Sequence, residues 1–266
     1  LGLEKLRLLD LRGCTGLKDA KAFKNIGRLG NLEFLYLWGC TELKEVPDLS
    51  RLEKLKKLSL RDCKQVRGTE AFKNIANLES LEELFLYGCT GLDKVPDWRE
   101  LIKLKVLELR YCTCLKGGDS FENIVGLSNL EQLYLSGCTG LEKVPDWSGM
   151  IRLKVLRLSL CTGLKEPDAF HNIASFKELE EIYLWECTGL SVMPDLSKLP
   201  KLRVLNLGRC KGLKATGAFG ILAKLKVLEM LSLNECSGLE ELPELGGLQD
   251  LRELHLTECI GLKALP

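Results

Sequence analysis

The sequence predicts an α/β solenoid, a stack of parallel strands that takes in all 266 residues. Three observations predict it. The string L-x-x-L-x-L-x-x-C, with Ile for one Leu, occurs eleven times and ends at Cys14, Cys40, Cys63, Cys89, Cys112, Cys138, Cys161, Cys187, Cys210, Cys236 and Cys259. These cysteines lie alternately 26 and 23 residues apart, so the unit is a 49-residue double repeat with no insertion. A fixed period in this range marks supersecondary units that stack on one another. The segments between strings also repeat, AFKNI-like in the longer spacer and VPD-like in the shorter.

Each part of the unit has a physical reading. The second and third leucines of the string are two apart, which puts both on one side of a strand and their intervening residue on the other. One strand cannot bury its leucines alone, so neighbouring copies must stack into a continuous apolar ladder. All strands run the same way, which makes the sheet parallel and sends every return path over its back. In the longer spacer Phe23, Phe72, Phe121, Phe170 and Phe219 recur every 49 residues, and Phe72, Ile75 and Leu78 are spaced by three, which suits a short helix. Asp119 and Asp168 stand two residues before their phenylalanines, where a side-chain oxygen is expected to cap the first free N–H groups. In the shorter spacer VPD at 46, 95 and 144 becomes MPD at 193 and LPE at 242. Its proline denies a helix interior and favours an extended or 3₁₀ path. Strands pack about 4.8 Å apart and helices roughly 8 to 10 Å, so short helices or 3₁₀ turns on the convex side bend the array into a horseshoe with a concave parallel sheet. A helix in only every second repeat relaxes that bend.

Strings such as LEELFLYGCTGLDKVPD at 81–97 and LEQLYLSGCTGLEKVPD at 130–146 resemble the leucine-rich repeats of plant intracellular nucleotide-binding immune receptors. The cysteine at the ninth position also resembles the cysteine-containing repeats of F-box adaptors. The resemblance covers residues 1–266 as a single leucine-rich repeat domain of eleven repeats with no evident caps. It implies a recognition surface in an intracellular sensor or adaptor. Two alternatives stand beside that: the substrate-recognition arm of a ubiquitin ligase, and a designed or consensus scaffold with no natural ligand, which the strict 26/23 alternation would suit.

Composition narrows the partners. The 38 Lys and Arg balance 37 Asp and Glu for a net charge of +1, so the basic excess expected of a nucleic-acid binder is lacking. No long uncharged apolar window suggests a membrane span, and the opening residues read as repeat rather than leader. Eleven of twelve cysteines hold one repeat position beside core leucines, which reads as a buried thiol in a reducing, cytoplasmic setting rather than a disulfide framework. Cys114, two residues after Cys112, lacks the second pair a zinc site needs. No catalytic motif is found, and the two histidines, His171 and His255, lack an orienting partner in the sequence, so neither an enzyme nor a cofactor is expected. Leu1 starts on a repeat and Pro266 stops in one, so end-to-end self-association through uncapped ends is expected.

The outward strand positions carry the functional expectation. After the first motif leucine, Arg7, Glu33, Lys56, Glu82, Lys105, Glu131, Lys154, Glu180, Arg203, Glu229 and Arg252 alternate in sign, which reads as a cross-strand ladder fixing register. Phe34, Tyr36, Trp38, Phe85, Tyr87, Tyr134, Tyr183 and Trp185 crowd the even strands, while Arg12, Arg61, Arg110 and Arg157 crowd the odd ones. Aromatics suit any strand, but Trp, Tyr and Arg are also the types that dominate binding hot spots. The partner-binding set is therefore Phe34, Tyr36, Trp38, Arg61, Phe85, Tyr87, Arg110, Tyr134, Tyr183 and Trp185, docking a protein ligand on the concave face. Trp98 and Trp147 replace the leucine that follows the proline motif and are expected in the core.

Overall fold

The residue pair flanking each second motif leucine folds with it into a three-residue strand. The computed structural model, which describes residues 2–166, 168–213, 219–242 and 244–265, contains β1 (Leu8–Asp10), β2 (Phe34–Tyr36), β3 (Lys57–Ser59), β4 (Glu83–Phe85), β5 (Val106–Glu108), β6 (Gln132–Tyr134), β7 (Val155–Arg157), β8 (Glu181–Tyr183), β9 (Val204–Asn206), β10 (Met230–Ser232) and β11 (Glu253–His255). Two compact units divide the chain, Leu1–Leu133 and Tyr134–Pro266, with β6 carrying the division. In the first unit β1 to β5 pair in sequence order, all parallel, and in the second β7 to β11 do the same. The expected positions Leu1, Ala218 of AFGIL, Pro243 of LPE and Pro266 lie outside the described residues.

Register follows the motif. Leu35 sits opposite Leu58, Leu58 opposite Leu84, and Leu84 opposite Leu107, so the second leucine of each string meets its equivalent on the next strand. The second unit repeats this with Leu156, Ile182, Leu205 and Leu231. These side chains are fully buried, as are Phe72, Phe121, Phe170, Trp98 and Trp147 behind them. Burying each such side chain stabilises the array by about 1.5 to 3 kcal/mol.

The motif cysteine does more than fill space. Its thiol donates to the third-leucine carbonyl of the preceding repeat: Cys63 Sγ to Leu37 O at 3.2 Å, Cys89 to Leu60 at 3.1 Å, Cys187 to Leu158 at 3.1 Å, Cys236 to Leu207 at 3.3 Å. The thiol thus adds a second donor to a buried carbonyl that already closes the turn of its own repeat, as Leu37 O does with Cys40 N–H at 3.1 Å. Burial pushes the thiols up, Cys63 to about 12 and Cys236 to about 11.

The turn leading to each cysteine has a feature the motif conceals. The cysteine N–H returns to the third leucine carbonyl, as in Cys63 N to Leu60 O at 3.1 Å, closing a β-turn whose third residue has positive φ. Glycine fills that eighth position at 13, 39, 88 and 137, but Asp62, Tyr111, Leu160, Glu186, Arg209, Glu235 and Glu258 adopt it with φ of 55° to 62°. Side-chain-bearing residues hold this left-handed conformation at a cost of roughly 1 to 2 kcal/mol each. The ladder enforces it: the same residue's N–H bonds the next repeat, Asp62 N to Tyr87 O at 2.7 Å and Glu186 N to Gly208 O at 2.8 Å.

The return paths are 3₁₀ in character. Thr69–Ile75, Gly118–Gly126 and His171–Ser175 form in longer spacers, and Leu196–Lys198 in a shorter one. With three residues per turn, Phe72 and Ile75 align and both are buried, which is what their spacing implied. The asparagine of the FxNI segment reaches across to the preceding repeat, Asn74 Nδ2 to Val46 O at 2.7 Å, Asn123 to Val95 at 2.8 Å and Asn172 to Val144 at 2.9 Å. The expected caps at Asp119 and Asp168 do not form. Asp119 lies within the first turn behind Gly117, while the helix after Asp168 starts only at His171 and leaves that carboxylate to Lys143 Nζ at 2.6 Å. Capping occurs at Asp19, which accepts from Lys21 N–H at 3.0 Å. The aspartates of the VPD segments instead accept from the N–H two residues on, Ser50 and Ser148 both at 3.0 Å, and tighten the turn after the proline.

Candidate recognition face

Alternation along each strand turns the third, fifth and seventh motif residues outward. In the first unit this face centres on one buried acid. Glu108, on β5, has a side chain only 1% exposed, yet its carboxylate is held by two guanidinium groups. Arg61 donates from Nε at 2.7 Å and Nη2 at 2.6 Å to Oε2, and Arg110 donates from Nε and Nη2 to Oε1. Both arginines remain about a third exposed. Such pairing is what allows a carboxylate to be buried at all.

The clamp orients rings as well as charges. The Arg61 guanidinium carbon stands 4.7 Å from the Phe85 ring centre, and Lys57 Nζ lies 4.8 Å from the same ring. Arg110 covers Tyr87 at 5.5 Å, and Tyr87 meets Tyr111 edge to face at 5.3 Å. Trp38, 44% exposed, takes a different partner: its Nε1 donates to Asp62 Oδ2 at 3.1 Å. Arginine therefore stacks on the rings of Phe85 and Tyr87, whereas Trp38 is positioned by a hydrogen bond. Phe34 and Tyr36 are half-buried on β2.

A cleft opens beside this cluster because one strand carries a small residue. Register places Ser59 between Tyr36 and Phe85 on the flanking strands. The hydroxymethyl leaves a gap between two rings, and Arg12, Trp38, Lys57 and Arg61 rim it to enclose a volume of about 410 Å³. Arg12 is tied to Asp10 at 2.6 Å and Lys57 to Glu83 at 2.7 Å, so each cation is held in place at the rim.

The second unit has its own smaller arrangement. Arg157 lies between two rings, 5.4 Å from Tyr134 and 4.0 Å from Tyr183. Tyr183 O–H donates to Glu181 at 2.9 Å, and burial with that bond raises the phenol's pKa. Arg209 stacks on Trp185 at 5.0 Å and pairs with Glu186 at 2.9 Å and Glu235 at 3.0 Å. Trp185 lies over Gly208, where a Cβ would come within 2.7 Å of its ring.

At the edge of the strands the alternating charges pair. Glu33 receives Arg7 at 2.6 Å and Lys56 at 2.9 Å, Glu82 receives Lys105 at 2.8 Å, and Glu229 receives Arg203 at 2.8 Å. The hydrogen bonds from Arg7 and Lys56 pull the Glu33 carboxyl down to about 2. The cations of these pairs are solvent-exposed, so each pair contributes little to stability.

Sequence reasoning missed Glu108. Its signal was there: among the fifth-position residues of interior strands it is the single acid, with arginine two residues on and another at Arg61. His171 is exposed on its helix, and His255 Nε2 lies 3.1 Å from Glu253 with both side chains exposed. Cys112 is buried whereas Cys114 is exposed, so the two thiols do not share a site.

The fold these features define is a cysteine-containing leucine-rich repeat solenoid. The family model for R13L1/DRL21 leucine-rich repeats matches residues 150–210, and the resemblance to plant receptors read from the sequence is compatible with it. A comparison with curated proteins finds no match. Among solved structures, the functional domain of InlJ from Listeria monocytogenes, described as including a cysteine ladder, is 16% identical with a TM-score of 0.60, covering 99% of this chain and 56% of that one. TLR13 in its ssRNA13 complex is 21% identical with a TM-score of 0.61, covering 96% and 44%. The plant peptide hormone receptor RGFR1 in complex with RGF2 is 22% identical with a TM-score of 0.51, covering 90% and 48%. This chain spans about half the length of these three structures. Among the described residues no helix is long and apolar enough to cross a membrane.

Proposed function

We propose that this chain is a non-enzymatic protein-recognition module of a larger intracellular protein, and that it docks its partner on the strand face of residues Leu1–Leu133. One observation carries the reading: Glu108 fixes Arg61 and Arg110 while those arginines, about a third exposed, lie against Phe85 and Tyr87. Hot-spot residue types held rigid before binding lose less entropy when a partner arrives. Solved neighbours bind a peptide hormone in one case and single-stranded RNA in another, so fold does not choose between partners. Charge does: a net +1, with acids paired against bases across the strands, favours protein over polyanion. We assign Tyr183 and Trp185, on the second unit, to a secondary contact. The unbroken 49-residue period favours a second reading, a consensus scaffold without a natural ligand.

The test is capture of partners from host lysate by the wild type, by a Trp38→Ala, Tyr87→Ala variant and by a Lys24→Ala, Arg28→Ala variant of the outer face, each checked for folding by circular dichroism. A partner lost from the first variant and kept by the second supports the strand face. Loss only from the outer variant sinks it, and no specific partner for the wild type favours the scaffold reading.

A further inference from the structure

The cleft above Ser59 is chemically unlike the rest of the face. Its floor is a buried hydroxyl, its walls are the Tyr36 and Phe85 rings, and its rim holds three cations and no acid. Lys57 Nζ and the Arg61 guanidinium both lean within 5 Å of the Phe85 ring centre, so the two positive charges converge on one ring from opposite ends of β3. Arg61 commits Nε and Nη2 to Glu108, which leaves Nη1 without a partner among the described residues. The acids that steady the rim, Asp10, Glu83 and Glu108, do not line the cleft, and Glu108 is sealed beneath its arginines. The space is closed by a β-sheet of parallel strands below and open to solvent above, with Trp38 standing exposed at one side.

We infer that this cleft binds the carboxylate side chain of an acidic peptide segment, with an apolar or aromatic side chain of the same segment resting on Trp38. The inference rests on the strand-face reading above and names the class of segment that face takes. A carboxylate seated over Ser59 accepts from the hydroxyl, from Lys57 and from the free edge of Arg61, and charge-assisted bonds of this kind are about twice as strong as neutral ones. The ring walls exclude water from those bonds and offer apolar contact to the methylene stem of Glu. Nucleic acid would need a longer unbroken basic track than three cations bounded by Asp10 and Glu83.

The experiment uses fluorescein-labelled decapeptides alternating Glu with Phe, matched peptides with Gln or Lys in place of Glu, and a labelled oligouridine, each titrated by anisotropy against the full chain at low salt. The Glu peptide is expected to bind about tenfold or more tighter than the Gln peptide, with affinity falling as salt rises. Lys57→Met and Arg12→Gln, both at partly exposed positions, are expected to weaken it about threefold or more each, whereas Lys263→Met, which removes an equal charge far along the sequence, leaves it unchanged. Equal binding of Glu and Gln peptides, tighter binding of oligouridine, or indifference to Lys57→Met and Arg12→Gln overturns the inference. If the Glu peptide shows no preference while the Trp38→Ala, Tyr87→Ala variant still loses its partner, the strand face stands and the acidic-segment inference alone falls.

Discussion

Removing the two arginines around Glu108 should cost far more than removing the acid itself. Glu108 accepts two bonds from Arg61 and two from Arg110, and its side chain is 1% exposed. In an Arg61→Met, Arg110→Met variant all four bonds vanish while the methionine side chains still cover the carboxylate, for which the expected loss is about 3 to 5 kcal/mol. Glu108→Gln is different because the guanidinium groups left behind are a third exposed and can turn to water. The amide oxygen also keeps accepting from one of them, so the loss should be about 1 to 2 kcal/mol. The difference, about 2 kcal/mol, exceeds a tenfold change in the folding equilibrium, since 1.4 kcal/mol is about tenfold. Urea unfolding followed by far-ultraviolet circular dichroism measures all three proteins. A double-arginine variant no less stable than Glu108→Gln would show that the carboxylate is neither desolvated nor held as described.

Glycine should improve the turn positions that carry side chains at positive φ: Leu160→Gly and Glu258→Gly are each expected to gain about 0.5 to 1 kcal/mol, and Gly88→Ala, whose new Cβ would lie 2.5 Å from Asp62 Oδ1, to lose about 1 to 2 kcal/mol. Lower melting temperatures for both glycine variants would contradict the strain. A thiol reagent on native protein should modify Cys114 rapidly and half-exposed Cys14 slowly, with the ten buried thiols reacting only in urea; native labelling of Cys89 at the rate of Cys114 would break the core assignment. Stability should fall on both flanks of pH. The folded Glu33 carboxyl is depressed from 4.5 to about 2, so its contribution is present above 4.5 and lost as pH drops toward 2, with Glu82 and Glu229 moving in the same direction. The folded Cys63 thiol is raised from 9.0 to about 12, so stability is intact below 9 and erodes as pH climbs toward 12. Urea midpoints that stay flat across either window would refute the corresponding assignment.

The repeat made the inward half of this molecule legible. Two leucines two apart and a cysteine three further on appear in every copy, so strand position, register and burial follow from spacing alone. A short helix was visible in the three-residue spacing of Phe72, Ile75 and Leu78, but its 3₁₀ geometry and the helix starts were not. Asp119 and Asp168 have the right side chain for a cap, yet one helix starts ahead of Asp119, behind Gly117, and the other starts after Asp168, whose carboxylate pairs with Lys143 of the preceding repeat. The left-handed eighth residue was hidden for a similar reason: Leu160 or Tyr111 argues against positive φ locally, and the ladder to the next repeat overrules it.

The outward half was only half legible, and the shortfall has one physical origin. Sequence lists which side chains share the face, but not which of them lean on one another. Arg61 and Arg110 read as two members of an arginine stripe, and nothing local says that they converge on Glu108. Three adjacent strands must first be brought into register, because Arg61 follows β3 and Glu108 ends β5, and the intervening strand supplies Phe85, on which Arg61 rests. The same step creates the cleft, since Ser59 is unremarked in the sequence and becomes a floor only when Tyr36 and Phe85 flank it. Chemistry on this scaffold is thus a property of three neighbouring repeats rather than of any one. Exchanging Ser59 for the bulkier residues found at the fifth position elsewhere, such as Ser59→Tyr, should fill the cleft without touching a core leucine. Loss of acidic-peptide binding at unchanged urea midpoint would place recognition in that gap, and undiminished binding would place it elsewhere on the face.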